Sequence, residues 1–281
     1  MRRTKKMNES IQDYHANVAI SHSKLECYRR RPALYYKKYI AKTLAQPEES
    51  TAFRLGSAVH CAVLEEKEFA SRYVLKPEIE RRSKEGKAAY AEFEAQHIGK
   101  TLLDAEELAQ VVAMREAVAA HPIASQLLAD GLPETTWRKP QHNALGALQC
   151  RTDWFSSLGC EMTNGEPYVV DIKTVESLDS DAFRNFERAA FSYGYHRQAG
   201  FYLPLINEVF KWSVSRMYYV AVEKAEPYGV AVYKLSDDAI ARGQDENIAD
   251  LIRLKRSIED NNWPNIEPVL HELSLPAWYK S

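Results

Sequence analysis

The apolar positions of this chain change their spacing near its middle, and that change divides it into two parts. In the first part they recur at three- and four-residue intervals, the period of a helix face. Leu25 and Tyr28 follow Ser21 and Ser23, side chains that cap helices, so residues 21–40 are expected to be helical. Residues 53–66 place Ala58, Val59, Ala62 and Val63 on one helical stripe. Two more helices are expected, a polar one over 84–97 and one over 105–121 that Asp104 would cap. His121-Pro122 and Gly131-Leu132-Pro133 punctuate the end of this helical part.

From Glu134 onward the period is two. Residues 135–139, 146–156 and 167–175 are short, rich in β-branched and aromatic side chains, and separated by turn formers such as Asn164-Gly165. They are expected as three successive strands of a meander. A helix over 181–206 follows, then strands over 217–222 and 229–235 with Glu226-Pro227 in the turn between them. A last helix over 237–257 and a proline-containing tail end the chain. This order implies an α/β fold with a mixed central sheet flanked by helices, carrying an N-terminal helical region. One domain is expected over 18–281, mainly helical over 18–131 and holding the sheet core in 132–281, with residues 1–17 disordered.

Composition narrows the classes. A chain of 281 residues, 45% hydrophobic and 27% charged, has the mix of an ordinary soluble globular protein. It carries no apolar run of about 18 residues, so no membrane partner is expected. The basic start, Met1-Arg2-Arg3-Thr4-Lys5-Lys6-Met7, lacks the apolar stretch of a secretory signal. Cys27, Cys61, Cys150 and Cys160 show no C-x-x-C spacing and read as reduced cytoplasmic thiols. The net charge of −2 does not exclude a nucleic-acid partner, because phosphate binding depends on local basic patches. Arg29-Arg30-Arg31 and Arg81-Arg82-Ser83-Lys84 are such patches, or plain solvated faces.

The chemistry concentrates in Arg151-Thr152-Asp153 and Val170-Asp171-Ile172-Lys173. Strand side chains alternate, so Asp171 and Lys173 are expected on one face, about 6–7 Å apart along the strand. A hairpin through Asn164-Gly165 would bring Asp153 beside them. Two clustered carboxylates repel unless a cation lies between them, and an oxygen-rich site suits Mg²⁺, with Mn²⁺ as a substitute. Such a metal lowers the pKa of a bound water and neutralises charge on a reacting phosphate. Lys173 would orient or deprotonate that water. The apolar run Tyr168-Val169-Val170 leads straight into Asp171, so the charges end a buried strand, which is costly unless they are paired or metal-bound.

These residues resemble the PD-(D/E)xK nuclease superfamily, in which a strand Asp is followed by a hairpin and a D/E-x-K strand. Thr152 stands where that pattern has Pro. Gly56-Ser57-Ala58-Val59-His60 is similar to the G-x-x-x-H element of the RecB and lambda-exonuclease branch. Gln198-Ala199-Gly200-Phe201-Tyr202 is similar to its Q-x-x-x-Y element, whose i, i+4 spacing puts Gln198 and Tyr202 on one helix face. The exonuclease VIII (RecE C-terminal) type is the most similar, over about residues 18–235. The resemblance implies that His60, Asp153, Asp171 and the carbonyl of Ile172 hold the metal and that Lys173 acts on the water. Gln198, Tyr202 and Glu134 would join the catalytic set, although helix packing and a plain turn residue remain open readings for them. Arg151 is open between a phosphate contact and a structural ion pair.

The resemblance further implies a DNA exonuclease that degrades the 5′-terminated strand of linear double-stranded DNA, leaving 3′ overhangs for recombination. Its partners would be double-stranded DNA ends, a homo-oligomeric ring of its own copies and a RecT-type annealing protein, in the cytoplasm of a bacterial or phage-infected cell. No iron–sulfur cluster is expected, because Arg31 stands before Pro32 where cluster-bearing relatives have Cys, and no cysteine follows Cys160. An endonuclease of the same fold, an inactive DNA-binding module and an unrelated α/β protein are the alternatives.

Overall fold

The computed structural model describes residues 9–44, 50–140, 145–178, 182–211, 213–266, 269–270, 272 and 274. Helix α1 (Ile11–Ala16) opens on Ser10, whose hydroxyl accepts from Asp13 N. Disorder is expected over 1–17; residues 1–8 lie outside the described residues, and residues 11–16 are helical here. Tertiary contacts hold the segment: Arg138 pairs with Glu9 at 2.8 Å, and Gln149 Nε2 donates to the Tyr14 carbonyl. Helix α2 (His22–Arg30) is capped by Ser21 and ends at the extended Arg31, φ −161°. A short α3 (Pro32–Tyr35) and a π-helical turn (Tyr36–Ile40) follow. The single helix expected over 21–40 is therefore broken, because the residue before a proline is driven out of helical backbone.

Helices α4 (Thr51–Leu64), α5 (Glu66–Arg72), α6 (Lys84–Gln96), α7 (Ala105–Ala120) and α8 (Pro122–Leu127) complete the first part. Asp104 caps α7 in a reciprocal capping box with Glu107. Two short strands, β1 (Tyr73–Leu75) and β2 (Thr101–Leu103), pair in parallel here. Three residues are too few for alternation to show in the sequence, and no strand was expected in this part.

The central sheet has the order β3-β4-β5-β6-β7, formed by Leu132–Lys139, Leu148–Ser156, Tyr168–Val175, Arg216–Glu223 and Val230–Lys234. All neighbours are antiparallel except β5 and β6, which are parallel. Parallel neighbours need a crossover, and helices α9 (Ala182–Ser192) and α10 (Tyr195–Phe210) supply it. The expected continuous helix over 181–206 is broken at Gly194, φ +75°, where a Cβ would lie 2.5 Å from the Arg197 guanidinium. Helix α11 (Asp237–Glu259) closes the described fold.

Alternation on the strands sorts the core into two layers. Tyr168, Val170 and Ile172 of β5 pack with Val59 of α4 and Met114 and Val118 of α7. Val169 of β5 packs on the opposite side with Leu25 of α2, Ala199 of α10 and Leu254 of α11. The N-terminal helices are thus sheet-covering layers rather than an addition to a finished core. Each fully buried Val or Ile among them contributes roughly 1.5–3 kcal/mol. Helices α10 and α11 touch backbone to backbone: a Cβ on Gly200 would lie 2.3 Å from Gln244 N, and one on Gly243 2.0 Å from the His196 carbonyl. No helix among the described residues is long and apolar enough to cross a membrane.

Candidate active site

Strand β5 keeps its ladder with β6 over its whole length, from Tyr168↔Arg216 to Val175↔Glu223. With β4 it pairs only at Trp154↔Val170, Phe155↔Val169 and Ser156↔Tyr168. Beyond Trp154 the two strands part, and Asp153 stands at the fork. Its Oδ2 accepts the Ile172 amide at 2.8 Å, replacing the backbone acceptor that a continued ladder would offer. Alternation on β4 also breaks here. Thr152 accepts from Trp137 and, with Phe155, faces the α10 side, while Trp154 faces the α4 side. Two residues three apart cannot share a face of a regular strand, so the irregularity falls at Asp153.

Asp171 and Lys173 share the α10 face, as the spacing predicts, and their side chains meet at 2.6 Å. Gln198 on α10 donates to Asp171 Oδ1 at 2.5 Å. Tyr202 stands behind it, hydrogen-bonded to the Gln198 side chain and buried enough to raise its hydroxyl well above the usual range. Asp153 does not join Asp171 on that face. It enters edgewise between the strands and meets α4, where His60 Nδ1 lies 3.3 Å from its Oδ2. The site therefore straddles the sheet through the fork.

Glu134 on β3 is the third acidic arm. Its backbone has φ +48°, a left-handed conformation that costs a non-glycine residue on the order of 1–3 kcal/mol. Its carboxylate pairs with Arg151 at 2.6 Å, so the ion-pair reading of Arg151 holds. One donor atom each from His60, Glu134 and Asp153 lies within 4.8 Å of the others. Asp171 stands outside that trio, held by Gln198 and Lys173.

Burial raises the Asp153 carboxyl well above the ordinary carboxylate range, and the Asp171 and Glu134 charges push the same way, against His60 and Lys173. Asp171 Oδ2 is buried and lies 2.6 Å from the Lys173 ammonium. Carboxylates gathered in that state, beside an imidazole nitrogen, fit a hard divalent cation. Burial acts to lower the Lys173 ammonium, but Asp171 and Asp153 outweigh it and hold its pKa above the usual value. The ammonium also lies over the Tyr195 ring at 4.7 Å and the Tyr219 ring at 5.9 Å. These two rings stack at 5.0 Å, and the Tyr219 hydroxyl donates to the Tyr195 carbonyl.

A PDDEXK-like domain of unknown function (DUF3799) is the family that matches, over residues 21–267. The chain belongs to this PDDEXK-like family. A crystal structure from Eubacterium rectale, named "Putative exonuclease", is similar in fold: TM-score 0.62 at 12% identity, with 96% of each chain covered. The crystal structure of SSO0001 matches at a TM-score of only 0.27 and 15% identity, over 71% of this chain and 85% of that one. No curated protein matches the chain significantly. The family match supports a nuclease, and the structural likeness supports the α/β fold with its mixed sheet.

Several residues of this PDDEXK-like site carried no motif. His22 lies beside Tyr202, ring centroids 6.5 Å apart and edge-on. Burial drives its pKa down to about 4, against the pull of Glu26, and its Nε2 has no hydrogen-bond partner among the described residues. Glu26 and Arg197 form a buried pair at 2.5 Å that ties α2 to α10 next to Gln198. Only the fold brings these positions together across the sequence. Of the basic runs, Arg29 pairs with Glu26 and Arg81 lies over the Tyr90 ring.

Proposed function

We propose that this chain is a Mg²⁺-dependent exodeoxyribonuclease that degrades the 5′-terminated strand of linear double-stranded DNA, with Mn²⁺ as a substitute metal. The carrying observation is the β4–β5 fork, where Asp153, Asp171 and Lys173 converge with His60 and Glu134. Asp153, Asp171, His60 and the Ile172 carbonyl would hold the cation, joined by Glu134. The cation would polarise the scissile phosphodiester and acidify the attacking water.

The remaining work falls to the chain itself. Lys173, paired with Asp171, orients the attacking water or takes its proton and offsets charge growing on the phosphate. Gln198 fixes Asp171 by one oxygen, and the other faces the Lys173 ammonium at 2.6 Å. Tyr202 buttresses Gln198 from behind. Arg151 holds Glu134 in its strained conformation. The resemblance to exonuclease VIII, together with the named function of the similar Eubacterium rectale structure, supports action at DNA ends. A ring of identical copies and a RecT-type annealing partner belong to the same proposal.

Linear duplex labelled at the 5′ or 3′ end, digested with Mg²⁺ beside covalently closed circles, tests it. Early release of 5′ label, intact circles and loss in Asp171→Ala and Lys173→Ala are expected. Cut circles would make it an endonuclease, and DNA binding without any cleavage would make it an inactive binding module.

A further inference from the structure

An aromatic stack runs outward from the lysine of the site. Tyr219 is buried at 1% exposure and stacks on Tyr195, which stacks in turn on Tyr193 at 6.2 Å with 26° between the rings. Lys173 lies against the inner two rings. Tyr193, the outer ring, is 62% exposed, and Phe191 two residues earlier is 45% exposed. Single exposed aromatics are common on protein surfaces and call for no explanation. Here the exposed ring is the last rung of a stack that begins at the reacting centre. Its turn is also fixed: Tyr193 N donates to the Ala189 carbonyl, Gly194 N donates to the Phe191 carbonyl, and Gly194 takes φ +75°. Such a ring is pre-positioned, so little ordering cost opposes binding.

A planar aromatic group completes a stack of this kind, and a nucleobase presents a π-face whatever its sequence. We propose that Tyr193 is a base-stacking platform that takes an unpaired nucleobase of the substrate strand beside the scissile phosphate. The inference rests on the nuclease reading and deepens it, because the substrate at the site is then a locally unpaired strand rather than an intact duplex. A strand seated on Tyr193 runs inward along the stack to Lys173. The platform favours no particular base and selects frayed or single-stranded ends over paired ones.

The test uses the full chain, Ca²⁺ in place of Mg²⁺ to hold DNA without cleavage, and DNA carrying 2-aminopurine at the terminal position. Wild type is expected to quench the fluorophore. Tyr193→Phe and Tyr193→Trp keep the quench, while Tyr193→Ala loses it and binds about tenfold more weakly. An abasic terminal nucleotide lowers affinity for wild type to the Tyr193→Ala level and leaves that variant unaffected. With Mg²⁺, Tyr193→Ala raises KM more than it lowers kcat and narrows the preference for frayed over paired ends. Equal quench and affinity in Tyr193→Ala overturn the platform while leaving the nuclease intact. Absence of DNA binding and cleavage by wild type overturns the nuclease reading itself.

Discussion

The two edges of β5 behave differently. Toward β6 the strand is paired along its full length, and its apolar side chains alternate into two layers, with Asp171 and Lys173 on the α10 face. Toward β4 pairing stops at Trp154↔Val170, and the opened space is filled by ionisable groups. The same strand thus serves as core on one edge and as site on the other. A complete ladder satisfies every backbone group and leaves no room for chemistry. An interrupted one leaves polar groups to be satisfied otherwise, here by the Asp153 carboxylate on the Ile172 amide. The anchoring behind the fork is correspondingly polar, through Gln198, Tyr202 and the Glu26–Arg197 pair.

The largest expected effect breaks the fork alone. Asp171→Ala and Lys173→Ala should each lower DNA cleavage on the order of 1,000-fold or more, with a melting temperature near that of wild type. A variant that keeps activity would remove the fork from the chemistry. Breaking the paired edge should do the opposite. Met217→Ala, in a fully buried position of β6, should cost about 2–5 kcal/mol in denaturant unfolding while the folded fraction still cleaves DNA.

Metal sharpens the contrast. Mg²⁺ at about 100 times its Kd should stabilise wild type by roughly 2.7 kcal/mol in thermal unfolding, and Asp153→Ala should lose that response. Met217→Ala should keep it.

The smallest effect concerns the polar anchoring of α10. The Glu246 carboxyl is held down at about 2; burial opposes this, but Arg242, Arg197 and His196 outweigh it. A depressed folded pKa gives stability that is present above the unfolded value and lost as pH falls through the folded one. Replacing Glu246 by Gln should therefore flatten the fall of melting temperature between about pH 4.5 and pH 2. An unchanged slope would show that the ion network contributes nothing to the anchoring.

Periodicity alone determined the helical first part, the five strands of the central sheet and the crossover, because period 2 and period 3.6 are local properties. It likewise put Asp171 and Lys173 on one face. Breaks in those elements were less legible. Pro32 and Gly194 each sit inside an apolar pattern that runs on without them, yet one excludes helical backbone before it and the other takes a left-handed turn. Motif resemblance named the site's other residues, and only the fold shows how they meet. His60 on α4, Glu134 on β3 and Asp153 on β4 meet because two strands stop pairing, and no residue spacing encodes where a ladder ends. His22, Tyr195 and Tyr219 surround Asp171 and Lys173 through long-range packing of α2, α10 and β6 on β5. Sequence specifies which side chains each element can present; only the assembled sheet and its two helical layers decide which of them share a volume small enough for their charges to interact.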